Sequence, residues 1–260
     1  MRRQIRELGR RSKRAIEYGL ARIPGVKRVY WRYAPVYYRW KLREQIGHDT
    51  PLDPIRVLSV NPDQIIRFTG RTDAAGYRYQ DLGTVMEGEW DTQPTQLIED
   101  TVIYRSFVDR YRRDQPWEET ELFAKLLSGD LTKVDMNTES AETLREELER
   151  YDDLYQMLQQ TQYKTQQELR RETGIRFDNR VGLLDRLTDE ITVDVGRDGE
   201  LLFVDGRHRL CLAKLLGLST IPAVVLVRHA EWLPKREAAL NNGTHEHRDH
   251  PDIAPYLRST

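Results

Sequence analysis

The chain has 260 residues, 38% of them apolar and 32% charged, with one cysteine and a formal net charge of -1. That length suits one sizeable domain with appendages, or two small ones. A single cysteine excludes an internal disulfide framework and a multi-cysteine zinc site, no apolar stretch approaches the ~18 residues of a membrane span, and the N-terminus lacks the apolar core of a secretory signal. The expected location is cytoplasmic, with peripheral membrane contact as its variant.

The near-zero net charge hides an asymmetry. Residues 1–43 carry fourteen Lys/Arg against two acids, Glu7 and Glu17, so the remaining chain is strongly acidic. A basic arm on an acidic body points to an anionic partner. Residues 1–20 read as a helix with Ile5, Leu8, Ala15 and Ile16 among arginines, broken at Pro24-Gly25. An aromatic-basic stretch follows, Val29-Tyr30-Trp31-Arg32-Tyr33 and on through Tyr37, Tyr38, Arg39, Trp40 and Lys41. Three readings of the arm over residues 1–45 stay open. It lies on an anionic membrane surface, or it binds nucleic acid, or it packs its aromatics on the domain and exposes only the arginines.

Past the Pro51 and Pro54 linker, residues 55–60 alternate as a first strand, and about 83–87 form a short one. The latter runs into an acidic turn with Glu87, Glu89 and Asp91. A helical block then occupies about 95–175. Ile98, Val102, Ile103 and Phe107 mark one helix, and Leu122, Phe123, Leu126 and Leu127 a second. Leu144, Leu148, Tyr151, Tyr155 and Leu158 mark a third. Thr165 and Glu168 form the capping box of a fourth, which ends near Gly174. Strands return at 191–195 and 200–204, joined by Asp198-Gly199 as a two-residue hairpin signal. A helix follows from Arg207 to Leu216, stopped by Gly217, and then an apolar buried strand at 221–227. The tail, residues 236–260, is polar and reads as disordered from Asn241. It carries His245, His247 and His250, but no metal site is expected there.

The chemistry concentrates at Asp205-Gly206-Arg207-His208-Arg209. A helix N-terminus offers unpaired N–H groups and about half a positive charge to an anion. Gly206 allows close backbone approach, Arg207 and Arg209 can grip phosphate oxygens, and His208 can donate a bond or a proton. Arg207 and Arg209 as surface arginines, with His208 packed in the core, is the plain alternative.

Val204 through Leu210, with Ala213-Lys214-Leu215-Leu216-Gly217 and Ile221-Pro222-Ala223-Val224, resembles the ParB/sulfiredoxin superfamily, and within it the ParB N-terminal-domain-like proteins. Val60-Asn61-Pro62-Asp63-Gln64-Ile65 resembles that family's first box. Gly88-Glu89-Trp90-Asp91 and Trp117-Glu118-Glu119-Thr120 resemble segments of the narrower group. The resemblance implies an α/β (α+β) fold over residues 46–235, a small mixed sheet with a helical insertion. It implies a nucleotide ligand (CTP, ATP or ADP) held by its phosphate at Asp205–Arg209. The sulfiredoxin cysteine is replaced by Arg207, so sulfinic acid reduction is not expected. The Asp-Gly-x-His-Arg form resembles the serine kinases most. By that likeness Glu87, Glu89 and Asp91 are the candidate catalytic acids, with Mg²⁺ accompanying the nucleotide. The expected function is nucleotide binding, extended to a phosphotransferase or nucleoside triphosphatase. The alternative is a non-catalytic binding or scaffold protein that uses the arm.

Overall fold

The computed structural model describes residues 26–46, 52–71, 81–131, 140–160, 163–165, 168, 190–241 and 247–257. The helix expected at 1–20 and the end of the helix that the Thr165 box begins lie outside them. The box itself is present: the Thr165 N–H donates to the Glu168 carboxylate, and the Glu168 N–H donates to the Thr165 hydroxyl.

The organising element is β6 (Ile221–His229), whose nine residues are all buried. Such a strand must have both faces covered, and its sequence is accordingly an almost continuous apolar run. One edge of β6 pairs in parallel with β4 (Ile191–Val195), which pairs antiparallel with β5 (Leu201–Asp205). β2 (Ile65–Phe68) then adds to β5 in parallel. The other edge of β6 is shared by β1 (Val57–Val60), antiparallel along its first half, and β3 (Thr84–Met86), parallel along its second. The result is a six-stranded mixed sheet. β2 was not anticipated, because a four-residue strand containing Arg67 shows little alternation.

Side-chain alternation sends the two faces of the sheet to two layers. Ile221, Ala223 and Val225 share a core with Leu201, Phe203 and the helices α2 (Val102–Arg112), α3 (Glu121–Leu127), α4 (Ala141–Gln160) and α5 (Arg207–Leu215). Leu202, Val224 and Leu226 face the other way, onto Ala34, Tyr38 and Leu82. Ala34 and Tyr38, together with buried Leu42, stand at a spacing of four on α1 (Val26–Ile46). The boundary expected at residue 45 falls at the C-terminal end of this helix, but the helix itself caps one sheet face and so belongs to the domain. Interior Pro35 costs a helix about 3 kcal/mol, and burial of the Tyr38 and Leu42 side chains, at about 1.5–3 kcal/mol each, offsets it.

The C-terminal boundary moves as well. α6 (Trp232–Asn241) buries Trp232 and Ala239, and Asp252 and Ile253 beyond it are fully buried. His250 donates from Nε2 to the Gly199 carbonyl at 2.7 Å and accepts the Asp252 N–H at Nδ1, 3.1 Å. Its ring lies 4.5 Å from that of Trp232. Residues 247–257 thus form a clasp on the sheet rather than a free tail, ending in α7 (Ala254–Leu257). A polar composition concealed this, because the clasp is held by one buried carboxylate and ring contacts instead of an apolar stripe.

Candidate functional site

Strand β5 delivers the turn. Asp205 is its last residue and pairs with Thr192. Gly206 then takes a left-handed conformation, φ +92°, as the N-cap of α5, and has no side chain of its own to cap the helix. A Cβ at Gly206 would stand 3.0 Å from Ile191 Cγ1 and 3.1 Å from Ile191 Cα. Glycine is needed both for the dihedral and for the close approach of the turn to β4. Behind it, Leu210 to Ala213 are completely buried, which fixes the helix start. Gly217 ends α5 at φ +63°, where the Leu218 N–H donates to the Ala213 carbonyl and the Gly217 N–H to that of Lys214. Cys211 lies in this core, its thiol pushed up to about 12 by burial, and is therefore inert packing.

The turn's side chains fan out in three directions. The Arg207 guanidinium lies over the Phe68 ring at 5.0 Å. The His208 ring stacks on Tyr151 of α4 at 4.6 Å and 18°, with Phe107 6.0 Å away. Arg209 turns toward β4, its Nη1 3.8 Å from the nearly buried carboxylate of Glu190. Five residues expected to act together thus do share one turn, but one face of His208 is occupied by an aromatic ring.

Three buried polar atoms around this turn have no hydrogen-bond partner among the described residues: Arg207 Nε, Arg209 Nη1 and Thr192 Oγ1. The Tyr163 hydroxyl, pushed up to about 12 by burial, stands beside Glu190 and within hydrogen-bonding reach of the Arg209 guanidinium, which partly offsets the rise. Similar atoms on Trp90 and Tyr111 belong to packed aromatic clusters, and Arg228 Nη1 and Arg236 Nη1 belong to guanidinium groups already paired with buried Asp252. An unmade hydrogen bond on a buried group costs about 1–3 kcal/mol, so a concentration of them marks a place built for a further partner. Thr192, Glu190 and Tyr163 carried no signal in the sequence. Each reaches the turn through tertiary packing.

No family model, curated protein or solved structure matches this chain. Its own geometry therefore has to carry the functional argument.

The acidic turn lies elsewhere. Asp91 is buried and accepts the Arg197 main-chain N–H and Nε at one oxygen, 2.8 and 2.9 Å, and Arg197 Nη2 at the other, 2.9 Å. Burial alone would raise its pKa, yet the bonds from Arg197 hold it down at about 2. Exposed Glu89 pairs with the same guanidinium at 3.0 Å, and Glu87 is exposed. Arg197 sits in the β4–β5 loop, where Gly196 and Glu200 are bonded and Gly199 is left-handed. That is a three-residue hairpin loop rather than the two-residue turn expected at Asp198-Gly199. Because β4 and β5 are antiparallel, this loop and the Asp205–Arg209 turn occupy opposite ends of the hairpin. The five steps from Ile191 to Gly196 span about 17 Å at ~3.3 Å each. Glu87, Glu89 and Asp91 are thus not brought to the phosphate turn. Asp91, with both oxygens bonded to Arg197, is in no position to act as a base or to hold Mg²⁺ there. The carboxylates beside the turn are Asp205 and Glu190. Among the described residues no group of three or more His, Cys, Asp and Glu is arranged to hold a metal, and no helix is long and apolar enough to cross a membrane.

Proposed function

We propose that this chain is a nucleotide-binding protein of the ParB/sulfiredoxin type, holding its ligand by a phosphate at Asp205–Arg209. The observation that carries the reading is the coincidence of a helix start whose N-cap is a glycine with the buried Arg207 Nε and Arg209 Nη1, which make no hydrogen bond among the described residues. A phosphate supplies what both lack, since its oxygens accept from first-turn N–H groups and from guanidinium nitrogens at once. The Thr192 and Tyr163 hydroxyls add two donors of fixed position.

The reading extends to binding and not to phosphoryl transfer. Transfer needs a group that orients or deprotonates the acceptor, and the acids first assigned that role stand at the far end of the hairpin. Calorimetric titration with CTP, ATP, ADP and inorganic phosphate tests the proposal. Saturable binding of at least one nucleotide, weakened by competing phosphate, is the expected result. Absence of heat from all four overturns it. A scaffold role for the basic segment is a separate reading, favoured by the outer face of α1.

A further inference from the structure

The helix that caps the sheet has a second apolar face. Val29, Tyr33, Val36, Tyr37 and Trp40 are each more than half exposed. Their spacing of 4, 3, 1 and 3 places them on one stripe of α1, opposite the buried Ala34, Tyr38 and Leu42. Within it the Tyr37 and Trp40 rings stand 6.1 Å apart. Arg32, Arg39 and Arg43 are exposed along one edge. Arg39 is paired with Asp53 at 2.7 Å, which leaves Arg32 and Arg43 as the outward arginines among the described side chains. Glu44 is the one exposed acid of α1, at the C-terminal end of the stripe. The 25 residues preceding α1 add eight Lys/Arg against two acids.

We infer that this face docks on an anionic lipid surface, α1 lying in the interfacial plane with its buried face still on the sheet. The chemistry fits one occupant. Tyrosine and tryptophan place an apolar body and a polar tip at the headgroup level, valines reach below it, and arginines at the edge meet lipid phosphates. A second copy of this chain would bring two like-charged edges and two basic segments together. Nucleic acid would leave the valines without a partner, since valine has no ring to stack on a base. The acidic body behind the sheet would be repelled by the same surface, which orients the molecule with α1 down.

The test uses the full chain without nucleotide, floated with phosphatidylcholine vesicles and with phosphatidylcholine–phosphatidylglycerol vesicles. Binding to the anionic vesicles alone is expected, falling as salt rises. Val36→Gln with Trp40→Gln should lower it at least about tenfold, since both apolar bodies would be withdrawn from the headgroup boundary. Arg32→Gln with Arg43→Gln should lower it about 25-fold, at about fivefold for each cation. Both pairs change exposed positions to good helix formers, so the thermal midpoint should stay in place. Flotation undiminished by the Val36 and Trp40 changes overturns the inference, as does the lack of any binding. It is equally overturned if those changes instead abolish duplex DNA binding, or convert a vesicle-free dimer to a monomer. Arg209→Ala should float like the parent, so failure of the nucleotide site and failure of this face are told apart.

Discussion

The two ends of the β4–β5 hairpin carry an arginine each, and the two are used differently. At the loop end, Arg197 donates to Asp91, to Glu89 and to the Gly88 carbonyl, while His229 donates to that carbonyl from Nε2 at 2.8 Å and accepts the Glu231 N–H at Nδ1. Charge and hydrogen-bonding capacity are matched. At the turn end, Arg209 has one carboxylate at 3.8 Å and a buried nitrogen with no acceptor among the described residues. Both arginines are strongly restrained, but only one is complete. A closed network holds a fold together, whereas an incomplete one that remains ordered is poised for a ligand. This distinction, more than the count of charged residues, separates Asp91 from Arg209 as a site candidate.

The largest expected effect belongs to the buried ionic cluster around Asp252, beside the loop end. Asp252 faces Arg228 at 2.6 Å and Arg236 at 3.5 Å, and all three are nearly or wholly buried. It also accepts the Trp232 indole N–H at 3.1 Å. Asp252→Asn should cost about 3–5 kcal/mol, the price of leaving buried charge uncompensated. Urea denaturation measures it. A loss below about 1 kcal/mol would mean that the clasp is not part of the folded unit. Next comes Arg209→Ala, expected to weaken nucleotide binding by about 2–3 kcal/mol, or about 30- to 150-fold. Circular dichroism should be unchanged, since alanine favours the helix. Arg209→Lys keeps the charge opposite Glu190 but loses the planar fork, and should still bind weakly. Parent-like binding by Arg209→Ala would return the arginine to a purely structural role.

How far the sequence reached follows the same division. β4, β5, α5 and β6 were legible nearly residue by residue, because each has a local signature: alternation in Ile191–Val195, Gly217 as a stop, an unbroken apolar run after Ile221. The Asp205–Arg209 turn was legible for the same reason. Register and direction were not. A sequence pattern tells that Glu87 to Asp91 follow a strand, but not that β3 runs parallel to β6 and leaves them beside the hairpin loop. Thr192 became part of the site through its pairing with Asp205, and Tyr163 through packing after α4. Helix α1 was hidden by Pro35 and by having two apolar faces, which blurs the single stripe that marks a surface helix.

Asp91 gives the comparison a pH axis. Its pKa is about 2 against an ordinary 3.8, so the folded state favours the charged form. A depressed carboxylate contributes stability that is complete above about pH 4 and is lost as pH falls toward 2. The shift corresponds to about 2 kcal/mol. Asp91→Asn should therefore lose about that much at pH 7 and show a flatter acid limb between pH 4 and pH 2, read by denaturant midpoints. Nucleotide affinity at pH 7 should be unaffected, because the loop is about 17 Å from the turn at ~3.3 Å per strand residue. A fall in affinity would show that the two ends are coupled.

Glu190→Gln should have the smallest effect and the most informative sign. Glu190 is 6% exposed and holds the only carboxylate paired with Arg209 among the described residues. In the ligand-free protein it partly neutralises a guanidinium that would otherwise be a half-buried lone charge. Once a phosphate arrives, the same carboxylate repels it. Removing its charge should therefore move the two quantities in opposite directions. Stability without ligand should fall, while phosphate affinity should rise by about 1 kcal/mol, or about fivefold. At the closed end no such opposition exists, since Asp91 and Arg197 have no third party to accommodate, and Asp91→Asn should lower stability alone. Calorimetry and urea denaturation on the same Glu190→Gln preparation would read both. If stability and affinity fall together, Glu190 orders Arg209 for binding instead of holding its place, and the turn is a preassembled site that needs its carboxylate.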